Sequence, residues 1–157
     1  MSNILNKSFS TDTYNIIATS SSGFSDLIEQ NKKYLSKYSS FIWLTKGLDQ
    51  KSNKFFDQLL TDTFGGSIDC CLISGPSFAK DLVSGEKICV SVASNSNKYL
   101  DTVEKCFGTN MFEMQKTNDL IGVQISGIMK NIAAILSGIL TSDNFSNSDI
   151  LRMIEVT

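Results

Sequence analysis

One proline occurs in this 157-residue chain, and it stands between a glycine and a serine in Ser74-Gly75-Pro76-Ser77-Phe78-Ala79-Lys80-Asp81. The uncharged run Cys70-Cys71-Leu72-Ile73 leads in, and a helical stretch, Phe78 to Val83, leads out. Proline suits the first turn of a helix, where its missing N–H costs no bond. The free N–H groups left in such a turn form a small anion pocket. The chain is therefore expected to pass from a buried strand through a tight turn into a helix.

The same alternation recurs along the sequence. Asn15 to Thr19, Phe41 to Thr45, Cys70 to Ile73 and Ile88 to Val92 are short, uncharged, apolar runs, each read as a buried strand, and Met111 to Met114 is a last short strand. Between them Phe24, Leu27, Ile28, Leu35 and Tyr38 recur at helical spacing, as do Phe55, Phe56, Leu59 and Leu60, and residues 96–107 form a further helix. Strands alternating with helices give βαβ units and a mainly parallel sheet covered on both faces. The fold class expected is α/β: a partial Rossmann-like, mainly parallel sheet followed by the start of an all-α domain. The change comes near Asn118, so residues 1–118 are the nucleotide-binding-type unit and 119–157 the beginning of a helical domain. Asp119 to Leu140 reads as one long helix. Gly122, Gly127 and Gly138 within it each cost about 0.8–1 kcal/mol relative to alanine, so packing must hold it.

Composition narrows the function classes. A net charge of −2 argues against general binding to nucleic acid, which needs a basic surface. Lys130 and Asn131 interrupt the most apolar stretch, Leu120 to Gly138, so no membrane span is expected. Cys70, Cys71, Cys89 and Cys106 follow no metal spacing and no metal site is expected; they suggest a reduced, cytoplasmic protein. The sequence holds no histidine, which removes histidine triads and the usual neutral-pH base. Acid–base chemistry must then fall to lysine, carboxylate, tyrosine or cysteine.

Two lysines stand out. Lys46-Gly47 follows the strand containing Trp43, and ligands of open parallel sheets bind beyond the carboxyl ends of strands. The Ser-Gly-Pro turn and the loop Ser20-Ser21-Ser22-Gly23 reach the same rim. Lys130 shares its helix face with Val123, Ser126, Gly127, Ala133, Ala134 and Ser137, nearly all small. Ile121, Ile125, Ile128, Ile132, Ile135 and Ile139 lie opposite and are expected to be core. The small residues leave room for a ligand beside Lys130. They fit equally well a close helix contact with the lysine reaching outward.

Three segments together resemble the NAD(P)-dependent sn-glycerol-3-phosphate dehydrogenase family. They are Trp43-Leu44-Thr45-Lys46-Gly47-Leu48-Asp49, Ile73-Ser74-Gly75-Pro76-Ser77-Phe78-Ala79-Lys80-Asp81-Leu82, and Asp119-Leu120-Ile121-Gly122-Val123-Gln124 running into Lys130-Asn131-Ile132-Ala133-Ala134-Ile135. The likeness covers roughly residues 14–140. It implies a dinucleotide-binding domain, NAD or NADP as cofactor, and interconversion of sn-glycerol 3-phosphate with dihydroxyacetone phosphate for phospholipid backbones. Lys130 is implied as the general base at the substrate's C2 hydroxyl, with Lys46 as its catalytic partner. Lys46, Gly75, Ser77, Lys130 and Asn131 are implied to hold the substrate, and Ala79, Lys46 and Ser21 to lie by the cofactor.

The sequence departs from that family in several places, and beyond Leu140 the likeness fades, Thr141 to Thr157 standing where a glycine-rich turn and an arginine-bearing helix are expected. The glycine-rich GxGxxG turn that grips a pyrophosphate is absent, and Thr19-Ser20-Ser21 replaces the usual Val-Pro-Ser-like segment. The expectation is an incomplete, inactive piece of the enzyme that forms homo-oligomers or pairs with the missing parts. A partner-binding remnant without catalysis and a related lysine-dependent hydroxy-acid dehydrogenase are the alternatives.

Overall fold

The computed structural model describes residues 14–35, 40–66, 68–75 and 79–155. Pro76, Ser77 and Phe78, and with them the expected anion pocket, lie outside the described residues, as do residues 1–13 and Tyr38. The described elements run β1 (Tyr14–Ile17), α1 (Ser21–Asn31), β2 (Ser40–Trp43), α2 (Phe56–Phe64), β3 (Cys70–Ser74), α3 (Ala79–Ser84), β4 (Ile88–Ser94), α4 (Asn97–Phe107), β5 (Phe112–Thr117), α5 (Leu120–Ser142) and α6 (Asn147–Glu155).

The strands form one sheet in sequence order, β1 to β5. β1, β2 and β3 are parallel, as are β4 and β5, so the sheet is mostly parallel and Rossmann-like. β4 runs antiparallel to β3, with Ser74 opposite Ser91. A parallel crossover needs a dozen or more residues, usually with a full helix. The connection 75–87 is long enough for a crossover, but its described helix has only six residues, Ala79–Ser84, and the chain doubles back.

Strand alternation places the core on both faces of the sheet. Phe41, Trp43, Cys70 and Leu72 pack with Phe24, Ile28, Phe56 and Leu60 on one face, where Phe24 and Phe56 stack at 4.1 Å. Ile42, Cys71 and Ile73 pack with Val90, Val92, Leu100 and Val103 on the other. The carboxyl ends of β1, β2 and β3 therefore open on one rim.

α5 begins one residue after Asp119, whose carboxylate accepts from Gly122 N at 2.8 Å as its N-cap. Its packing reverses the expected orientation. Ile121, Ile125, Ile132, Ile135 and Ile139 are exposed and Ile128 is half-buried, whereas Leu120, Gln124, Gly127 and Leu140 are buried. The small face is the one that can approach β3 and β4 closely, so the isoleucines point away. α5 has the length and mean hydropathy, 1.5, of a membrane span, a property that core helices share and that by itself shows none. Ser20-Ser21-Ser22-Gly23, expected as a loop, is instead the cap and first turn of α1. α6, for which the sequence reading gave no element, starts where Ser146 Oγ accepts from Asp149 N.

Candidate functional site

The rim gathers three of the expected residues. β2 ends at Trp43, and Thr45 Oγ1 donates to Thr19 O at 2.9 Å, tying the next turn to the end of β1. Gly47 then takes φ 115°, a conformation L side chains rarely adopt. Ser21, the first residue of α1, fills the space beside it: a Cβ on Gly47 would sit 3.3 Å from Ser21 Cβ. The turn sends the Lys46 side chain across the end of β3, where Nζ donates to Gly75 O at 3.2 Å. Gly75 itself presses on β4, and a Cβ there would stand 3.0 Å from Val90 Cα and 3.1 Å from Cys89 O. Only glycine fits without displacing that strand.

Below the turn, Asp49 is buried to 1% exposure and accepts from Ser52 N at 2.8 Å and Ser52 Oγ at 2.7 Å. Burial opposes its ionisation, but the Ser25 hydroxyl, which faces the carboxylate without a well-formed bond, and Ser52 outweigh that and hold the carboxyl below its ordinary value.

α5 closes the cleft from above. Gly127 lies directly on the turn, its Cβ position 3.4 Å from Ser74 Oγ and 3.6 Å from Lys46 Cγ. One turn on, exposed Lys130 lines a cleft of about 200 Å³ with Ser74, Gly75, Ser91, Val123, Ser126 and Gly127. Lys46 and Lys130 are near enough to act on each other: burial first, and then the charge of Lys130, hold Lys46 below the usual lysine value. Lys130, two serine hydroxyls from strands and a glycine floor, with Lys46 packed behind Ser74 and Gly127, make a site suited to a small anion with hydroxyl groups. A wider depression of about 480 Å³, lined by Glu104, Asn110 and Glu113 among others, brings carboxylates together and suits no such ligand.

Not every expected residue reaches the cleft. Asn131 is exposed and is not part of its lining. Ala79 opens α3, and Ser77 lies outside the described residues. Ser91 was missed by the sequence reading. Its signal was a serine alternating within Ile88-Cys89-Val90-Ser91-Val92, but which neighbour it faces depends on the reversal of β4. Gln124 was missed as well, although it stood inside a quoted segment.

Residues 2–100 match the family described as NAD-dependent glycerol-3-phosphate dehydrogenase N-terminus. The chain belongs to this family. The glycerol-3-phosphate dehydrogenase of Bartonella quintana is 30% identical over 140 residues, 88% of this chain and 41% of the relative. That of Legionella pneumophila strain Lens is 36% identical over 126 residues, 80% of this chain and 37% of the relative. The crystal structure of glycerol-3-phosphate dehydrogenase from Coxiella burnetii superposes with a TM-score of 0.80 at 27% identity, covering 88% of this chain and 42% of that one. The chain thus spans about two-fifths of the length of these glycerol-3-phosphate dehydrogenases, and the part matched by the family includes Lys46, the Ser74-Gly75-Pro76 segment and β4.

Proposed function

We propose that the polypeptide carrying this sequence is an NAD(P)-dependent oxidoreductase that interconverts sn-glycerol 3-phosphate and dihydroxyacetone phosphate. The observation that carries the reading is that Lys130 lines a glycine-floored cleft whose Gly75 is held by Lys46, close enough to feel the Lys130 charge, at the carboxyl rim of a family member's sheet. That rim is where open α/β sheets bind their ligands.

In oxidation, Lys130 takes the proton of the C2 hydroxyl, which requires approach to about 2.6–3.2 Å. Lys46, its direction fixed by Gly75 O, places positive charge beside the oxygen as it gains negative character. In reduction the same groups return the proton. Ser77 is assigned to the substrate side by the sequence resemblance alone, and Asn131, exposed beside Lys130 and outside the cleft lining, is given no contact with substrate. The nicotinamide, when bound, accepts or supplies the hydride. Ser21 and Ala79 belong to its side of the rim in this reading. The sequence offers no glycine-rich turn for a pyrophosphate, so the residues present suit the nicotinamide end alone. Residues 1–118 form the nucleotide-binding unit in this reading, and α5 opens the substrate domain. The four cysteines are free, in keeping with a reducing cytoplasmic setting and a role in supplying phospholipid backbones.

The test is an assay of the full polypeptide that contains this sequence, with dihydroxyacetone phosphate and NADH or NADPH. Lys130→Ala should lower kcat by roughly 10²–10⁴-fold, the range of a lost general base. Turnover of a 2-hydroxy acid in preference to the phosphate ester would overturn the substrate assignment. Undiminished kcat in Lys130→Ala would overturn the role of the lysine.

A further inference from the structure

Gln124 is 4% exposed, and its amide is engaged at both ends. Oε1 accepts from Phe56 N at 3.1 Å, and Nε2 donates to Asp57 Oδ1 at 2.9 Å and to Leu120 O at 3.3 Å. The partners fix the amide's orientation: a backbone N–H needs the oxygen, and a carboxylate and a carbonyl need the nitrogen.

These bonds repair a helix end that its own sequence leaves incomplete. α2 has Phe55 at its N-cap, and phenylalanine offers no side-chain acceptor. Gln58 Oε1 reaches back to Phe55 N at 3.4 Å. The next N–H, that of Phe56, is satisfied by Gln124 from 68 positions further along the chain. The cap of α2 is therefore supplied by α5. Along α5, Gly127 lies one turn beyond Gln124 on Lys46 Cγ, and Lys130 lies a turn beyond that in the cleft. A bond network at Gln124 sets both the rotation and the axial position of this strip.

We propose that Gln124 is a positioning residue: by capping α2 it seats α5 on the sheet and so holds Gly127 on the Lys46 side chain and Lys130 near it. The proposal rests on the roles given above to the two lysines. Its test reads lysine titration and folding in the 157-residue chain, not turnover, so the failure of one reading is distinguishable from the failure of the other.

The measurement is an NMR titration of the lysine Cε signals of labelled chain, with Lys46 assigned by its loss in Lys46→Arg. In Gln124→Ala, α5 lifts, Lys46 loses both the cover of Gly127 and the nearby Lys130 charge, and its midpoint rises toward that of an ordinary lysine. Gln124→Glu sets a carboxylate against Asp57 and should move Lys46 the same way at neutral pH. Pairing it with Asp57→Asn reverses donor and acceptor, and the wild-type midpoint should return. Ser94→Ala removes another buried bond, Ser94 Oγ to Cys70 O at 2.7 Å, and should lower stability without moving Lys46. An unchanged Lys46 midpoint in folded Gln124→Ala overturns the proposal. If that variant does not fold, Gln124→Glu and its Asp57→Asn partner decide: no difference between them overturns it equally. A shift as large in Ser94→Ala would reduce Gln124 to general stability and count against it.

Discussion

Lys46 Nζ and Gly75 O meet at 3.2 Å across the carboxyl ends of two parallel strands. This bond joins the segment after β2 to Gly75 at the end of β3, and it ties the Lys46 ammonium to the floor of the cleft. Lys46 is held below the usual lysine value chiefly by burial and secondarily by Lys130. Lys130→Gln should therefore raise the Lys46 midpoint only part of the way to 10.5. The linkage has a definite sign. The unfolded chain keeps this proton to higher pH than the folded one, so stability rises as pH climbs through the folded midpoint and stops rising near 10.5. Lys46→Met should flatten that alkaline rise in a thermal melt series; an unaltered rise would assign it to another group.

Two glycines should respond in opposite directions. A Cβ at Gly75 would stand 3.0 Å from Val90 Cα and 3.1 Å from Cys89 O, both backbone atoms of one strand. Gly75→Ala should cost about 1–3 kcal/mol, the usual toll of overpacking. At Gly138, in the exposed part of α5, no described atom lies within 4 Å of the Cβ position. Gly138→Ala should add about 0.8–1 kcal/mol through helix propensity. Urea melts of the two variants measure both, and a destabilised Gly138→Ala would show that this part of α5 is not a free helix surface.

The four thiols divide into two pairs. Burial pushes Cys70 and Cys71 up to about 12, and both lie inside the sheet. Cys89 and Cys106 are exposed. The thiolate is the reactive form, so iodoacetamide at pH 8 should modify Cys89 and Cys106 in the native chain and reach the other pair only in denaturant. Mass spectrometry of the native product reads this directly. Four rapid additions without denaturant would mean that the core opens readily. Cys89 lies in the run Ile88 to Val92 that reads as a buried strand; its outward position follows from strand alternation, since Ile88 and Val90 are the buried pair.

That case shows what could be read from the residues. The strand–helix alternation and the period change near Asn118 were legible because apolar spacing reports them locally. The places of Lys46 after β2 and of Lys130 on α5 could be read because each sits in a segment with its own pattern, whereas spacing alone assigned neither a role. The reversal of β4 was hidden because direction depends on how a short connection closes in space. The packed face of α5 was misread for a related reason: its apolar isoleucines satisfied the hydropathy pattern, but close approach to β3 required Gly127 and Gln124. Gln124 carried no local signal, since the helix end it caps lies far away in sequence.

The surface left by this arrangement leads to the final expectation. Ile121, Ile125, Ile132, Ile135 and Ile139 are each 44–66% exposed along one side of α5. Among the described residues β1 is an edge of the sheet, with Tyr14 and Ile16 exposed at 42% and 52%. An unpaired edge offers free N–H and C=O groups to another strand, and a contiguous apolar patch favours association. The 157-residue chain in isolation should therefore self-associate with increasing concentration. Sedimentation equilibrium measures this, and two variants apportion it. Ile132→Lys with Ile139→Lys places charges on the helix surface without touching the core. Ile16→Lys does the same at the edge strand. If the helix governs, the first pair should restore a monomer and the second should not; the reverse outcome assigns association to β1. A wild-type chain that stays monomeric across a wide concentration range would refute the expectation for both surfaces.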